Sequence, residues 1–219
     1  KGLLNNVAAN IELEEFIKDL NFNTLLDIGS NKGQFILLVE NYFKEVDVHS
    51  FEPIKEILDK QKKLFKFKKN IFFYNFGIGE QNENKDFFIT KRKDSSSFLK
   101  AEIDDNSDYK ITKKIQIEIK SLDEILKDKN LIAPILAKID VQGYELQVLK
   151  GANNLLKKIK YLIVEVSDSE IYSGQSIYAE ILDYLKEKNF ALLKESLPNK
   201  IFKTNYIQKD ILFVNKSLN

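Results

Sequence analysis

Short apolar runs alternate with amphipathic segments along the chain, and this alternation predicts an α/β fold. Continuous apolar runs are typical of parallel strands that are covered on both faces. The runs that predict strands are Thr24–Ile28, Val46–Phe51, Ile71–Phe76, Pro134–Ile139, Tyr161–Val166, Phe190–Lys194 and Ile211–Val214. The segments that predict helices are Glu12–Leu20, Phe35–Phe43, Pro53–Leu64, Leu122–Lys127, Ile177–Lys188 and one after Asp140 that breaks or bends near Gly151. Their order predicts a mostly parallel, seven-stranded sheet flanked by helices, with ligands at the carboxyl ends of the strands.

The segment 80–120 interrupts this alternation. It contains two runs of period two, Asp86–Thr90 and Lys113–Ile119, separated by a polar stretch that includes Ser95–Ser97 and Asp104–Asn106. Period-two runs are typical of strands with one exposed face. We therefore predict a β-hairpin or small lid, inserted at the edge of the sheet, with a mobile loop between its strands. The whole chain, 1–219, is expected to form one domain, which includes this insertion and a helical segment at 1–22.

The composition narrows the choice of partner. With 219 residues and 43% hydrophobic content, the chain can build one core. Its 34 basic and 33 acidic side chains leave a net charge of +1, which gives no overall attraction to nucleic acid or to an anionic membrane. Arg92 is the only arginine, although guanidinium is the best group for recognising phosphate and guanine. We expect no nucleic-acid partner, and the lysines interleaved with Phe65 and Phe67 are interpreted as a solvated helix end rather than an RNA surface.

Cysteine is absent and His49 is the only histidine, so disulfides and thiolate chemistry are excluded and a metal would have only carboxylate ligands. We predict no metal site, and we expect His49 to be a packed strand residue rather than a base. No run approaches the roughly 18 apolar residues that span a bilayer, and Lys1–Asn10 lacks the apolar core of a secretory signal. A cytoplasmic protein without membrane insertion is therefore expected. The sequence indicates no oligomeric state.

The segment Asp27–Gly33 follows the first predicted strand and precedes a predicted helix. Glycine allows positive φ and close approach of a ligand, and a carboxylate at a strand end can accept hydrogen bonds from a cationic or hydroxylated ligand. Glu52 ends the second predicted strand, where it can accept hydrogen bonds from both hydroxyls of a ribose, although it could instead cap the helix that Pro53 is predicted to open. Together these positions predict a nucleoside cofactor.

A nicotinamide-dependent oxidoreductase would use the same scaffold, but its loop holds a pyrophosphate and requires G-x-G-x-x-G. In this chain Asn31 stands at the second glycine position and Gln34 at the third. A side chain at the second position keeps the backbone away from a diphosphate, so a cofactor without phosphate fits better. An NAD(P)-dependent oxidoreductase and a non-catalytic cofactor-binding module remain alternatives.

The second informative segment is Lys138–Glu145. Asp140 ends a strand that is expected beside the first one, so its carboxylate is expected to point toward the reacting end of the cofactor. Gly143 allows close packing at a helix start, and Glu145 lies in the first turn of that helix, where negative charge is favoured. Phe76, Gly77 and Glu165 also lie at predicted strand ends.

On these residues the chain resembles the FkbM family of S-adenosylmethionine-dependent methyltransferases. The resemblance extends over about Thr24 to Asn215, and its most particular part is Lys138–Glu145. The other similar segments are Leu26–Gly33, Phe51–Pro53, Val148–Ala152, Ile163–Glu165 and Asp210–Val214. One departure is Gln142, since the family commonly has an acidic residue at that position.

The resemblance implies a Rossmann-like class I methyltransferase fold, S-adenosyl-L-methionine as cofactor with S-adenosyl-L-homocysteine as product, and O-methylation of a sugar, glycan or related small molecule. The residues that it implies for cofactor binding are Asp27, Gly29, Ser30, Asn31, Gly33, Glu52, Pro53, Phe76, Gly77 and Asp140. Asp140 is the first candidate to deprotonate or orient the acceptor hydroxyl, and Glu165 is the second. Asp140 could equally bind the cofactor or cap the following helix. The segment 80–120 is expected to select the substrate.

Overall fold

The computed structural model describes residues 7–103, 108–201 and 204–218, so the predicted polar segment Asp104–Asn106 lies outside the described residues. The strands are β1 (Thr24–Ile28), β2 (Asp47–Phe51), β3 (Ile71–Tyr74), β4 (Gly77–Ile78), β5 (Glu83–Thr90), β6 (Ile111–Lys120), β7 (Ile135–Ile139), β8 (Ile159–Ser167), β9 (Phe190–Glu195), β10 (Asn199–Lys200) and β11 (Ile207–Asn215). The α-helices are α1 (Glu14–Ile17), α2 (Gln34–Tyr42), α3 (Lys55–Leu64), α4 (Leu122–Leu126), α5 (Glu145–Lys150) and α6 (Tyr178–Glu187).

The main sheet is mostly parallel, as predicted. Its order is β10-β11-β8-β7-β1-β2-β3, with β9 also paired to β11, which gives eight strands among the described residues. The strands from β8 to β3 are parallel, and the pairings of β11 are antiparallel. The prediction had seven strands. The additional one is the two-residue β10, which is too short to give a hydrophobic pattern.

The central strands β1 and β7 are buried along their whole length, as their continuous apolar runs predict. One layer of the core covers one face of the sheet and includes Leu26, Phe51 and Val164. The other layer covers the opposite face and includes Leu25, Phe35 and Leu136. Burial on both faces fixes the register of the sheet, because a shift by one residue would exchange the two layers.

This register places several charged residues on one face. Paired residues in adjacent strands share a face, and so do residues two apart along a strand. Asp27 pairs with Lys138, Lys138 pairs with Ile163, and Glu165 pairs with Asp210. Asp140 follows Lys138 by two residues, and Glu165 follows Ile163 by two. The carboxyl ends of β1, β7 and β8 therefore carry carboxyl groups on the same face as the buried Lys138.

The period-two runs of the segment 80–120 form the predicted antiparallel hairpin, β5 and β6. The hairpin is not part of the main sheet, however, and this corrects the prediction of its position. It forms a separate sheet with β4, in the order β4-β6-β5. The chain leaves the main sheet after Tyr74, where the Asn75 side chain donates to the carbonyl oxygens of Glu52 and Pro53, and Gly77 then pairs with Ile119.

Two helix predictions are corrected. The segment Glu12–Leu20 contains a 3₁₀ turn at Ile11–Leu13 followed by the four-residue α1. Pro53 does not open α3, which begins two residues later at Lys55. The reason is local, since the Glu52 carboxylate accepts the N–H of Ile54 at 2.7 Å and so completes a turn before the helix. Within the described ranges, no helix combines the length and apolar character that crossing a membrane requires.

Candidate active site

The loop between β1 and α2 is shaped by three residues with positive φ, namely Gly29 (79°), Asn31 (47°) and Gly33 (85°). At Gly29 a Cβ atom would lie 1.9 Å from the carbonyl oxygen of Asp140, so only glycine allows β1 and β7 to end side by side. The loop and the end of β7 therefore meet at the edge of the sheet where a ligand is expected.

Every amide of this loop already has an acceptor within the protein. The N–H groups of Gly29 and Ser30 both donate to the carbonyl oxygen of Phe51. The N–H of Asn31 donates to Glu52 Oε2 at 3.0 Å, that of Lys32 to Gln34 Oε1, and that of Gly33 to the carbonyl oxygen of Ser30. A dinucleotide loop needs free N–H groups that point at a pyrophosphate. This geometry disfavours the alternative of a nicotinamide-dependent enzyme.

Asp27 is the last residue but one of β1, and its side chain is fully buried. Neither of its carboxylate oxygens has a hydrogen-bond partner among the described residues, and the same holds for Oδ1 of Asn31. Burial raises the pKa of Asp27 to about 7, the nearby Lys138 ammonium opposes this, and the charge of Asp140 adds to it. A buried carboxylate without donors is unfavourable. The site thus lacks a hydrogen-bond donor or a cation at this point.

Glu52 is also buried, and both of its oxygens accept backbone N–H groups, from Asn31 and from Ile54. Burial raises its pKa to about 7, partly opposed by these two hydrogen bonds. Glu52 therefore connects the two loops and supports the start of α3, which is the alternative role considered from the sequence. Each carboxylate oxygen has a second lone pair, so the side chain can still accept a hydrogen bond from a ligand.

The Ser30 side chain is turned away from the opening of the site. Its hydroxyl oxygen accepts hydrogen bonds from Ser50 Oγ and Gln61 Nε2, both at 2.8 Å, and lies 3.2 Å from the carbonyl oxygen of Phe51. This buried network orders the loop from below. No sequence pattern indicates it, because Gln61 reaches the loop from α3.

Lys138 is buried in β7, and its Nζ lies 2.8 Å from Oδ2 of Asp140. Burial alone would lower the pKa of Lys138, but the charges of Asp140, Asp27 and Asp210 outweigh it and raise the pKa. Burial raises the pKa of Asp140, but the Lys138 ammonium, together with hydrogen bonds from Gln142 and Glu165, more than compensates and holds the pKa below its usual range. Asp140 is therefore ionised at neutral pH.

Glu165, at the end of β8, is the second candidate carboxyl group. Its Oε2 accepts from Gln142 Nε2 and from Gln208 Nε2, each at 3.0 Å. Burial, reinforced by the charges of Asp140 and Asp210, raises the pKa of Glu165 well above its usual range. The Gln142 amide also donates to Oδ1 of Asp140 at 2.8 Å. The two candidates thus lie together, and their pKa values are displaced in opposite directions.

A cleft of about 1510 Å³ opens above these strand ends. Its lining includes nine residues predicted for cofactor binding, namely Asp27, Gly29, Ser30, Asn31, Glu52, Pro53, Phe76, Gly77 and Asp140. Gly33 is the exception, since it packs against Phe65 below the loop. Glu165 also lines the cleft, as do Arg92, Ser95 and Tyr109 from the inserted segment.

His49 lies outside the cleft, in an aromatic stack between Phe72 and Tyr74, with Nδ1 at 2.9 Å from the Tyr74 hydroxyl. Burial lowers its pKa to about 4.

Sequence reasoning assigned no role to Lys138 or Asp210, although both line the cleft and burial raises the pKa of Asp210 to about 6. For Lys138 the sequence does contain an indication, because a lysine within a continuous apolar strand is unusual. Over the described ranges, no group of acidic or histidine side chains is arranged to hold a metal ion.

Comparison with known proteins agrees with this geometry. The profile of the methyltransferase FkbM domain matches residues 27–192. The chain belongs to the FkbM methyltransferase family. The match includes the β1 loop, Glu52, Asp140 and Glu165. It confirms the predicted enzyme class and the prediction of S-adenosyl-L-methionine as cofactor.

Two relatives of this FkbM protein are named as methyltransferases. The hexuronic acid methyltransferase AglP of Haloferax volcanii is 26% identical over 190 residues, which cover 82% of this chain and 72% of AglP. The 2-O-methyltransferase NoeI of Sinorhizobium fredii is 26% identical over 170 residues, which cover 74% of this chain and 70% of NoeI.

Solved structures confirm the predicted fold class. The magnesium protoporphyrin IX methyltransferase of Synechocystis, solved with bound S-adenosylmethionine, superposes with a TM-score of 0.51 at 10% identity, over 94% of this chain and 75% of that one. A protein of the NADB-Rossmann superfamily from Streptococcus agalactiae gives a TM-score of 0.54 at 10% identity, over 97% and 71% of the two chains.

Proposed function

We propose that this FkbM protein transfers a methyl group from S-adenosyl-L-methionine to a hydroxyl group of a sugar or glycan. The observation that carries the proposal is Asp27, a buried carboxylate that lines the cleft and has no hydrogen-bond partner in the described part of the chain. The amino group of a bound amino-acid cofactor would supply the missing cation. The relatives named as a hexuronic acid methyltransferase and a 2-O-methyltransferase support a sugar hydroxyl as the acceptor.

The residues of the cleft fit this cofactor. Asp27 and the unpartnered Oδ1 of Asn31 would hold its amino-acid portion, against the Cβ-free surface of Gly29. Glu52 would accept from the ribose hydroxyls through its remaining lone pairs. Pro53 and Phe76 would flank the adenine, beside Gly77, while Ser30 and Gly33 would act by shaping the loop. The cofactor supplies a methyl group on a positively charged sulfur.

Asp140 is proposed to orient the acceptor hydroxyl and to accept its proton. It is the better candidate of the two because its pKa is held below the usual range, so it is ionised, whereas burial raises the pKa of Glu165 and disfavours its carboxylate form. The side chain is 28% exposed, so it can reach an acceptor in the cleft. The Lys138 ammonium, 2.8 Å from Oδ2 of Asp140, favours the ionised form of this carboxyl group. Methyl transfer depends mainly on holding the two reactants close and in line, so orientation is the larger part of this role.

The inserted segment is proposed to select the acceptor. It contributes Arg92, Ser95, Ser96 and Tyr109 to the cleft, opposite the strand ends. These side chains offer hydrogen-bond donors of the kind that sugar hydroxyls and carboxylates accept. A cytoplasmic location and the absence of a nucleic-acid partner remain predictions from the sequence.

The proposal is tested with two pairs of variants. The first variant is Glu52→Gln, and its control is Asp123→Asn. Each of these two carboxylates accepts two backbone N–H groups. They come from Asn31 and Ile54 for Glu52, and from Asn154 and Leu155 for Asp123. Asp123 lies outside the cleft. Calorimetry should show affinity for S-adenosyl-L-methionine reduced about tenfold or more by the first change and unaltered by the second.

Asp140→Asn and the wild-type protein are then compared in methyl transfer from isotope-labelled S-adenosyl-L-methionine to hexuronic acids and 2-hydroxyl glycosides. Turnover is expected to fall by about 10²-fold or more in the variant. Tight binding of NADH instead of S-adenosyl-L-methionine would refute the cofactor. Binding of the methyl donor without transfer to any sugar in the panel would refute the acceptor class.

A further inference from the structure

Gln142 lies between the two candidate carboxyl groups. Its Nε2 donates one hydrogen bond to Asp140 Oδ1 at 2.8 Å and one to Glu165 Oε2 at 3.0 Å. Its Oε1 accepts from the Tyr172 hydroxyl at 2.8 Å. A primary amide has two N–H groups, so each carboxyl group receives one. The reversed amide would direct its oxygen at both carboxyl groups, and the network therefore determines the orientation.

Gln142 is linked to the inserted segment in two ways, indirectly through Tyr172 and directly through Ser97. The Tyr172 hydroxyl, which is fully buried, also lies 3.0 Å from the carbonyl oxygen of Ser95. The backbone carbonyl of Gln142 accepts from Ser97 Oγ at 2.6 Å. Gln142 has a φ of 56°, an unfavourable conformation for a residue other than glycine. Such strain persists only where surrounding contacts require it, and here these contacts come from the site and from the inserted segment.

We propose that Gln142 is a positioning residue for methyl transfer, whose side-chain amide holds Asp140 and Glu165 side by side and connects them through Tyr172 to Ser95–Ser97 above the cleft. This inference rests on the proposed function. The proposed role of Gln142 means that the orientation of Asp140 and the position of the inserted segment are coupled through one amide group. Acceptor contacts with that segment would therefore be transmitted to the carboxylate that receives the hydroxyl proton.

The charged surroundings of the pair come from several elements. Asp140 faces Lys138 and Glu165, while Glu165 also faces Asp210 and Glu145. Tyr172 faces Tyr109 in addition to these carboxyl groups. The Gln142 hydrogen bond favours the ionised form of Asp140, in the same direction as Lys138. Loss of this donor should raise the pKa of Asp140.

The two halves of the amide can be tested separately. Gln142→Glu keeps an acceptor for Tyr172 but removes both donors, and Gln142→Met removes donors and acceptor. Tyr172→Phe removes the hydroxyl that contacts Gln142 Oε1 and the Ser95 carbonyl oxygen, and it leaves both Gln142 donors in place. Gln208→Met is the matched control, because Gln208 donates to the same Glu165 oxygen at the same 3.0 Å but has no contact with Asp140. Carboxyl ¹³C NMR, assigned with Asp140→Asn, measures the titration of Asp140. Hydrogen exchange measures protection of the Ser95, Ser96 and Ser97 amides, which are hydrogen-bonded in the protein.

We expect both Gln142 variants to raise the pKa of Asp140, and Gln208→Met and Tyr172→Phe to leave it unchanged. Gln142→Met and Tyr172→Phe should accelerate exchange at Ser95–Ser97 several-fold, and Gln142→Glu should not. With an accepted sugar, Gln142→Glu should lower kcat about tenfold while the KM for the methyl donor stays constant. The proposal would be overturned by an unchanged Asp140 titration in both Gln142 variants, or by unchanged exchange at Ser95–Ser97 in Gln142→Met and Tyr172→Phe. Because these two readouts need no acceptor, they decide it even if the wild-type protein methylates no sugar.

Discussion

Replacing Asp27 by asparagine should stabilise the free protein at alkaline pH while weakening cofactor binding. The carboxylate is fully buried and unpartnered among the residues that the structure describes, and its pKa is raised from 3.8 to about 7. At pH 8 the protein keeps this group ionised, and the displaced pKa corresponds to about 4 kcal/mol of lost stability. The amide in the variant is also left without partners, which costs about 1–3 kcal/mol. The expected net gain is therefore about 1–3 kcal/mol.

The sign of the pH dependence follows from the same displacement. Between the ordinary value of 3.8 and the raised value of about 7, the native state binds the Asp27 proton and the unfolded state does not. Stability of the wild-type protein should therefore fall as pH rises through this range, and the Asp27→Asn variant should lack that contribution. Urea unfolding at pH 5 and pH 8 measures this contribution to the free energy of unfolding. At pH 5 Asp27 carries its proton in the native state, so the variant should no longer be more stable than the wild-type protein.

Cofactor affinity provides the second half of this experiment. Loss of a charge-assisted contact should weaken binding of S-adenosyl-L-methionine about ten- to a hundredfold in calorimetry. The reasoning would be refuted if the variant lost stability equally at both pH values. It would also be refuted if the variant bound the cofactor as tightly as the wild-type protein, because Asp27 would then have no ligand to hold.

Three further predictions concern the same cleft and the surface. Affinity for S-adenosyl-L-methionine should rise about tenfold from pH 6 to pH 7.5 as Asp27 ionises and should fall above about pH 8 as the α-amino group loses its proton; a flat calorimetric profile would contradict this. Gly29→Ala should abolish binding and destabilise the protein by several kcal/mol, whereas Gly174→Ala, at a similar φ of 76° but with no atom within 4 Å of the added methyl, should cost only about 1 kcal/mol in urea unfolding. An immobilised polynucleotide should not retain the protein at physiological salt, and retention there would make Phe67, which is 79% exposed among lysines, a nucleic-acid contact.

The sheet could be predicted because burial on both faces leaves a pattern that needs no long-range information. Every strand of the parallel region was expected within a few residues of its position, and β1 and β7 are adjacent as predicted. The short β10 and the separation of the hairpin into its own sheet could not be predicted. Both depend on backbone pairing between distant segments, which period and composition do not encode.

The location of the candidate site could be predicted in part. Asp27, Glu52, Asp140 and Glu165 could be placed at strand ends, since their positions depend only on where apolar runs stop. Protonation states could not be predicted, because they depend on which groups face each other after folding. Lys138 shows this, since only the register reveals that it lies among four carboxyl groups.

The shared face of Asp27, Lys138 and Glu165 also limits how such a chain can vary during evolution. Inserting or deleting one residue within Ile135–Asp140 would move the lysine ammonium to the other side of the sheet and leave the acids without their cation. The length of the connection between Thr90 and Ile111 is not constrained in this way, because the strands that it joins, β5 and β6, are not part of the main sheet. Homologues should therefore tolerate length changes above the cleft, where new acceptors can be accommodated, and should conserve the spacing beneath it.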